Sequence, residues 1–97
     1  MAKIGECTFK VPNGKLLKVT LVIEGERIDK VQIRGDFFMH PEESLDELET
    51  ALKGMDYNIK DITDIVGKFF EMEDLIAFGI TPKAVVDAII KCKEIAE

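Results

Sequence analysis

Hydrophobic and polar residues alternate along the first third of the chain with a period of two, which is typical of half-buried β-strands. Cys7, Phe9 and Val11 predict a first strand over about residues 7–12. Asn13-Gly14 then predicts a tight hairpin turn, because both residues tolerate positive φ. A second strand is predicted over about residues 15–24, and its apolar face carries Leu17, Val19, Leu21 and Ile23.

A third strand is predicted over about residues 27–34, after a turn at Glu24-Gly25-Glu26. Val31 and Ile33 fall on its apolar face, whereas Ile28 is out of step with them, which indicates a β-bulge. Three strands joined by two short turns predict an antiparallel meander.

The first helix is predicted over about residues 42–53, with Leu45, Leu48 and Leu52 on its apolar stripe. Its start has two candidate signals. Pro41 is suited to the first helical position, and Ser44 with Glu47 matches a capping box. Gly54 can end the helix.

Two more helices are predicted from the same spacing of apolar residues, over about 60–71 and about 82–95. Asn58 or Asp61 can cap the first of these, and Thr81-Pro82 provides a cap and a first-turn proline for the second. The predicted fold class is α+β: a three-stranded antiparallel meander with about three helices packed on one face, in a single domain over 1–97.

The sheet face opposite the helices should be polar and basic. Alternation along the strands places on it Thr8, Lys10, Lys18, Thr20, Val22, Lys30, Gln32 and Arg34. Antiparallel sheets commonly have one solvated face. The alternative is a docking face for an acidic surface or a phosphate group, in which Lys18, Lys30 and Arg34 make contacts.

Charge divides the chain into two parts. The net charge is −6, with +3 over residues 1–35 and −9 over residues 36–97. The overall acidity argues against nucleic-acid binding, because phosphate neutralisation needs a basic surface. A basic half joined to an acidic half favours a polar partner.

Cysteine content and hydropathy indicate a cytoplasmic protein. Cys7 and Cys92 are too few for a disulfide scaffold or a zinc site, and we expect two free thiols. The N-terminal residues lack the apolar core of a signal peptide. No apolar run approaches the roughly 18 residues that a membrane helix needs, so we expect no membrane contact.

The sequence offers no independent catalytic or metal site. His40 is the single histidine, and no nucleophile partners it nearby in sequence. The acidic run at residues 42–49 does not have the spacing of a calcium loop, and we interpret it as a solvated helix face. The glycines form no phosphate-binding loop, so the chain should bind no cofactor alone.

The segment Gly35-Asp36-Phe37-Phe38 is the unusual feature of the chain. Gly35 permits a sharp turn or a close approach of the backbone. Asp36 can accept hydrogen bonds from nearby amides and fix that turn. Phe37 and Phe38 are adjacent and cannot readily face the same way, so one should anchor the first helix while the other lies near the surface. The segment is either a turn with a core anchor or a contact with a partner or substrate.

These residues are part of a longer pattern that resembles the C-terminal accessory domain of lipoate–protein ligases. The pattern runs from Ile33 through Gly35-Asp36-Phe37-Phe38 to Gly54, and its other matching positions are Pro41, Leu45, Leu48, Glu49 and Leu52. Gly14 to Val19 adds to the similarity. Family members fuse this domain to a large catalytic domain or encode it separately, and this chain resembles the separately encoded form.

The resemblance implies an accessory role in protein lipoylation. Lipoate–protein ligases make lipoyl-AMP from lipoate and ATP, and then transfer the lipoyl group to a lysine of a carrier domain. The resemblance places lipoate and ATP with magnesium on the large catalytic subunit, which this chain would join in a heterodimer. The chain alone should have no activity, and Gly35 to Phe38 with Lys18, Lys30 and Arg34 are the partner-adjacent or substrate-adjacent candidates.

Two alternatives to this role are open. The fold is also similar to that of the scaffold proteins of iron–sulfur assembly (SufE/NifU-like), which would imply a sulfur or cluster carrier. That function needs a reactive exposed cysteine, and neither Cys7 nor Cys92 has an obvious activating neighbourhood. The third interpretation is a general interaction module.

Overall fold

The computed structural model describes residues 2–12 and 14–97, so Asn13 of the predicted hairpin lies outside the described residues. The elements in chain order are β1 (Ala2–Lys10), β2 (Leu16–Glu24), β3 (Arg27–Gly35), β4 (Phe38–His40), α1 (Ser44–Leu52), α2 (Ile59–Phe70), β5 (Ile76–Phe78) and α3 (Pro82–Ile95). The α+β class predicted from the sequence is confirmed.

The main sheet is an antiparallel meander in the order β1-β2-β3. Its register pairs Cys7 with Val19 and Val19 with Ile33, which aligns the buried residues of all three strands on one face. The helices cover that face, because α3 packs on β1 and β2 while α1 packs on β3. The core lies between these two layers.

Strand β1 begins at Ala2, five residues earlier than the sequence predicts. Gly5 explains the difference, because it occupies an inward-facing, buried position where the alternation would show an apolar side chain. A Cβ atom at Gly5 would collide with the carbonyl oxygen of Cys92 in α3. Glycine therefore lets the last helix lie directly on the first strand, and it removes the sequence signal at the same time.

The predicted irregularity in the third strand is confirmed. The register shifts between Val22 and Ile23, which pair with Lys30 and Ile28, so Asp29 is the extra residue of a bulge. The bulge turns Ile28 into the core, where it is fully buried.

Two helices begin at the predicted caps. The Asn58 side chain accepts a hydrogen bond from the amide of Asp61, so of the two proposed caps Asn58 is the one used. The Thr81 side chain accepts from the amide of Ala84, and Pro82 is the first residue of α3. Polar side chains of this kind satisfy amides that have no partner within the helix.

Both proposed starts of α1 are wrong. The helix begins at Ser44, and the residue before it, Glu43, makes no side-chain capping bond. Pro41 lies outside the helix, in the turn that leaves β4, and its peptide bond with His40 is cis. Ser44 is buried instead of capping, because the chain approaches α1 from β4 and turns its first residue inward.

A second, two-stranded sheet was not predicted. Strands β4 and β5 pair antiparallel, with Phe38 opposite Phe78 and His40 opposite Ile76. Each strand has three residues, which is too short for alternation to be read from the sequence. We refer to β4 and β5 together as the ribbon.

Candidate functional site

The candidate site begins where β3 ends. Gly35 is the last residue of β3 and pairs with Leu17. A Cβ atom at this position would collide with the carbonyl oxygen of Leu16 and press on the ring of Phe37. Of the two roles proposed for Gly35, the structure therefore shows the close approach of backbone, which only glycine allows.

The prediction that the Asp36 side chain fixes this turn is wrong, because the backbone amide makes the bond instead. The amide of Asp36 donates a hydrogen bond of 3.2 Å to the carbonyl oxygen of Leu16. Within residues 2–12 and 14–97, the Asp36 side chain accepts no hydrogen bond, and the residue is exposed. Backbone pairing with β2 already holds the turn, so the carboxylate is left at the surface.

Phe37 and Phe38 divide as expected into an anchor and a surface residue. Phe37 is half-buried and packs against the hydrophobic core, whereas Phe38 is 54% exposed. The division follows from the ribbon, in which alternate residues of β4 face opposite ways. Met39, on the inward side, is buried.

A shallow depression of about 240 Å³ lies over this segment. Four of the seven candidate residues line it, namely Arg34, Gly35, Phe37 and Phe38. Leu45 of α1 and Met39 add apolar surface, and Glu42 adds an acidic group. The structure thus brings the end of β3, the ribbon and the start of α1 together around one apolar hollow.

The outer face of the ribbon continues this apolar surface. It carries Phe38, His40, Ile76 and Phe78, because these four residues pair across the two strands on the same side. The rings of Phe38 and Phe78 have centroids 6.2 Å apart, and Phe78 and Ile76 are 66% and 48% exposed. Large aromatic side chains that adjoin each other in water are unusual for a surface that has no partner.

Hydrogen bonds fix the ribbon to the beginning of β2. The amide of Lys15 donates to the carbonyl oxygen of Gly79 at 3.1 Å, next to the Leu16 carbonyl that accepts from Asp36. Gly79 has a positive φ of 81°, and a Cβ atom there would press on the Lys15 side chain. Hydrogen bonds therefore attach the ribbon to the main sheet at two points, just before β4 begins and just after β5 ends.

Acidic residues flank the other end of the ribbon. A groove of about 230 Å³ runs beside Pro41 and Leu75, which follow β4 and precede β5. Its charged lining residues are all acidic, namely Glu47, Glu73 and Asp74. Exposed Met72 lines the same groove. The apolar face thus has an acidic border on the side of α1.

The basic face of the main sheet is present, but part of its charge is paired. Lys18 lies 3.4 Å from the carboxylate of Glu6, and Arg34 lies 3.0 Å from that of Glu49. Lys18 and Arg34 are Cα partners across β2 and β3. Lys30 lies four residues from Arg34 on β3, about 13 Å away, so it is separate from the depression beside Gly35.

Glu49 has a role that the sequence did not predict. Its carboxylate accepts a hydrogen bond of 2.8 Å from the amide of Ile33 and one of 3.0 Å from the guanidinium of Arg34. The interpretation of the acidic run as a solvated helix face is therefore wrong at Glu49, whose side chain is only 16% exposed. It closes part of the open edge of β3, which would otherwise offer unpaired backbone groups.

The two cysteines lie away from this surface, as free thiols in the core between β1 and α3. Burial, together with the side-chain hydrogen bond between Cys92 and Cys7, raises the pKa of the Cys92 thiol far above its ordinary value. A thiol in this state is a poor nucleophile at neutral pH, because the thiolate is the reactive form. The environment that a sulfur carrier needs is therefore lacking at Cys92.

Comparison with known proteins decides the family. The family model for the bacterial lipoate protein ligase C-terminus matches residues 8–89. The chain belongs to this family. Subunit 2 of lipoate-protein ligase A from Thermoplasma acidophilum is 39% identical over 74 residues, which are 76% of each protein.

A solved structure shows the same fold. A chain from the bi-partite lipoate protein ligase and E2 lipoyl domain of Thermoplasma acidophilum matches with a TM-score of 0.79 and 35% identity. The match covers 92% of this chain and 97% of the other. The family predicted from Gly35 to Phe38 and the surrounding pattern is confirmed.

Two structural findings bear on the remaining expectations. Over residues 2–12 and 14–97, no helix is long and apolar enough to cross a membrane. Within the same part of the chain, no three His, Cys, Asp or Glu side chains gather in a way that could hold a metal ion.

Proposed function

We propose that this protein is the accessory subunit of a bipartite lipoate–protein ligase, which docks on the large catalytic subunit and supports activation of lipoate to lipoyl-AMP. The observation that carries the proposal is the match, over most of both chains, to one component of a bi-partite ligase. The family assignment over residues 8–89 supports the same role. Lipoyl carrier domains would then be indirect partners, and the pair would act in the cytoplasm.

The described surface supports placing lipoate and ATP on the large subunit. The hollow beside Phe37 is shallow, and its one cationic lining residue, Arg34, is already paired with Glu49. Its other charged lining residue, Glu42, would repel phosphate. These residues do not fit a nucleoside triphosphate.

The outer face of the ribbon is the docking surface in this proposal, and the large subunit is its occupant. Its exposed aromatic residues, Phe38 and Phe78, are of the type that dominates binding energy at protein interfaces. The hydrogen bonds at Asp36 and Lys15 hold the ribbon in place before binding. A preorganised surface binds with less loss of conformational entropy.

Charge predicts the matching surface on the large subunit. The groove beside Pro41 and Leu75 has acidic lining residues, and Glu42 borders the hollow next to it. An apolar cleft rimmed by Lys or Arg would complement both features. Such a rim would also speed association at low ionic strength.

Docking can assist chemistry that occurs on the partner. A subunit that covers a substrate loop can order it and exclude water from the reacting groups. Water exclusion strengthens the electrostatic stabilisation of charge that develops at phosphorus during adenylation. The accessory subunit would therefore raise the rate of lipoyl-AMP formation without supplying a reacting side chain.

Reconstitution tests the proposed function. The large subunit from the same source is assayed for lipoyl-AMP formation alone and after addition of this protein. We expect the rate to rise with added protein until the two subunits are equimolar. Equal rates with and without this protein would refute the accessory role.

A matched pair of variants tests the docking surface. Phe78→Ser removes an exposed aromatic residue from the ribbon, and Ile59→Ser removes an apolar residue of 50% exposure from the start of α2. We expect Phe78→Ser to weaken binding of the large subunit about tenfold or more, and Ile59→Ser to leave it unchanged, by calorimetry.

Charge reversal on the sheet tests the alternative docking surface. Lys18→Glu with Lys30→Glu changes the basic face and leaves the ribbon intact. We expect binding of the large subunit to change less than in Phe78→Ser. If the sheet variant loses binding while Phe78→Ser retains it, the docking surface lies on the basic sheet face instead.

A further inference from the structure

The two cysteines of the chain meet in the core, although 84 residues separate them in the sequence. Cys7 lies on the inward face of β1 and Cys92 on the buried face of α3. Their sulfur atoms are 2.8 Å apart. The close packing of α3 on β1, which Gly5 allows by its lack of a Cβ atom next to the Cys92 carbonyl, brings them together.

Three contacts compete for the protons of the two thiols, and the contact between the two sulfurs is one of them. Cys7 Sγ lies 3.3 Å from the carbonyl oxygen of Ala88, and Cys92 Sγ lies 3.3 Å from that of Val19. Each thiol has one proton to donate. The two protons cannot serve all three contacts at once, so when both are directed to these carbonyls the sulfurs face each other with lone pairs only.

We propose that Cys7 and Cys92 form an intramolecular disulfide bond that links the first strand to the last helix. A disulfide has a sulfur–sulfur bond of about 2.05 Å, so a small rotation of the two side chains closes the remaining gap. The bond also ends the competition for the thiol protons, because it removes both of them. It goes beyond the proposed function and does not depend on it.

Loss of the thiol protons leaves no buried acceptor without a partner. Val19 is opposite Cys7 in the ladder of β1 and β2, where its carbonyl is available to the backbone. Ala88 lies four residues before Cys92 within α3, so its carbonyl accepts the Cys92 amide. The oxidised core is therefore as well satisfied as the reduced one.

Bond formation needs an oxidant, and a small-molecule disulfide such as oxidised glutathione supplies it. One protein thiolate attacks this disulfide, forms a mixed disulfide and releases one small thiol. The second protein thiolate then attacks the protein sulfur of the mixed disulfide and releases the second small thiol. The two cysteines lose two electrons and two protons, and the small disulfide is reduced to two thiols.

The bond forms while the chain folds or after it opens locally. In the folded protein both thiols are buried, and the raised pKa of Cys92 suppresses its thiolate. In the open chain the thiols have their ordinary reactivity. Once the fold closes, the same burial shields the bond from reducing thiols.

Thiol mapping tests the proposal on the unmodified protein. The protein is unfolded, refolded in the presence of oxidised glutathione, unfolded again in the presence of an alkylating reagent, and analysed by mass spectrometry. We expect no alkylated cysteine, a linked Cys7–Cys92 peptide and a monomeric chain. After treatment with a reductant in denaturant, both cysteines should be alkylated. Two alkylated cysteines in the oxidised sample, or a bond between two chains, would overturn the proposal.

The melting temperature provides a second test, because a contact between two thiols that form no bond would give the same value under oxidising and reducing conditions. The bond closes most of the chain into one loop, so the oxidised protein should melt roughly 10–20 °C above the reduced protein. Cys7→Ala should melt at the same temperature in both conditions. Equal melting of oxidised and reduced wild-type protein would also overturn the proposal, and this comparison needs no variant to fold.

Discussion

The inward-facing residues of β2 are at most 2% exposed, whereas Phe38, Ile76 and Phe78 of the ribbon are between 48% and 66% exposed. Both sheets are antiparallel and both have one buried face. They differ on the opposite face. In the main sheet it is mostly polar and partly ion-paired, with Ile4, Leu16 and Val22 as its apolar residues, whereas in the ribbon it is mostly apolar. Phe38, Ile76 and Phe78 adjoin one another on the ribbon, and a contiguous exposed apolar face of this kind indicates a binding surface.

The ribbon also depends on the main sheet for its own shape. A two-stranded sheet is marginally stable by itself. Here buried Met39 anchors the inner face, and hydrogen bonds at Leu16 and Gly79 attach the ends. The main sheet can therefore tolerate loss of the ribbon's outer side chains, while the ribbon cannot tolerate damage to its attachment.

The largest effect is expected inside the main sheet. Leu21→Ala removes a fully buried side chain from the central strand and leaves a cavity, so the free energy of unfolding should fall by about 3 kcal/mol. Leu16→Ala, at a 48% exposed position of the same strand, should lower it by less than about 1 kcal/mol. Urea unfolding measures both. Equal losses would contradict the assignment of the core to one face.

An intermediate effect is expected where the ribbon is attached. Gly35→Ala places a Cβ atom against the Leu16 carbonyl, so it should lower the free energy of unfolding by about 2 kcal/mol. Gly67→Ala in α2 meets no atom within 4 Å. As the control, Gly67→Ala should raise the free energy of unfolding by roughly 0.5–1 kcal/mol, because alanine has the better helix propensity.

Amide hydrogen exchange in the ribbon tests whether the turn at Gly35 holds the ribbon in place. Amide hydrogen exchange at Met39 and Ala77, which face each other across β4 and β5, should become faster in Gly35→Ala. Exchange that is unchanged in the variant would show that the turn at Gly35 does not hold the ribbon.

The smallest effect on stability is expected on the outer face of the ribbon. Phe78→Ser should change the free energy of unfolding by no more than about 0.5 kcal/mol, since two-thirds of the side chain is already in water. Denaturant unfolding should show this for the same variant that loses affinity for the large subunit. A fall of about 2 kcal/mol or more in the free energy of unfolding would show that Phe78 stabilises the fold, and would contradict its assignment to the docking surface alone.

Local sequence patterns were sufficient to predict the main sheet, the presence of the three helices and the family. Period-two alternation defined the strands, Thr81-Pro82 and Asn58 marked two helix starts, and Ile28 signalled the bulge. These signals are local, because each depends on residues within one or two turns of the chain. The order Gly35-Asp36-Phe37-Phe38 indicated the family through its resemblance to the family's pattern.

Long-range packing sets the ribbon, the role of Glu49 and the contact between the two cysteines, none of which the sequence patterns predicted. Phe38 pairs with Phe78, Glu49 reaches the amide of Ile33, and Cys7 meets Cys92. Each contact joins elements that are distant in the chain, and each follows from how the helices lie on the sheet. Alternation cannot show such contacts, because it reports which face of an element is buried but not which residue lies against it.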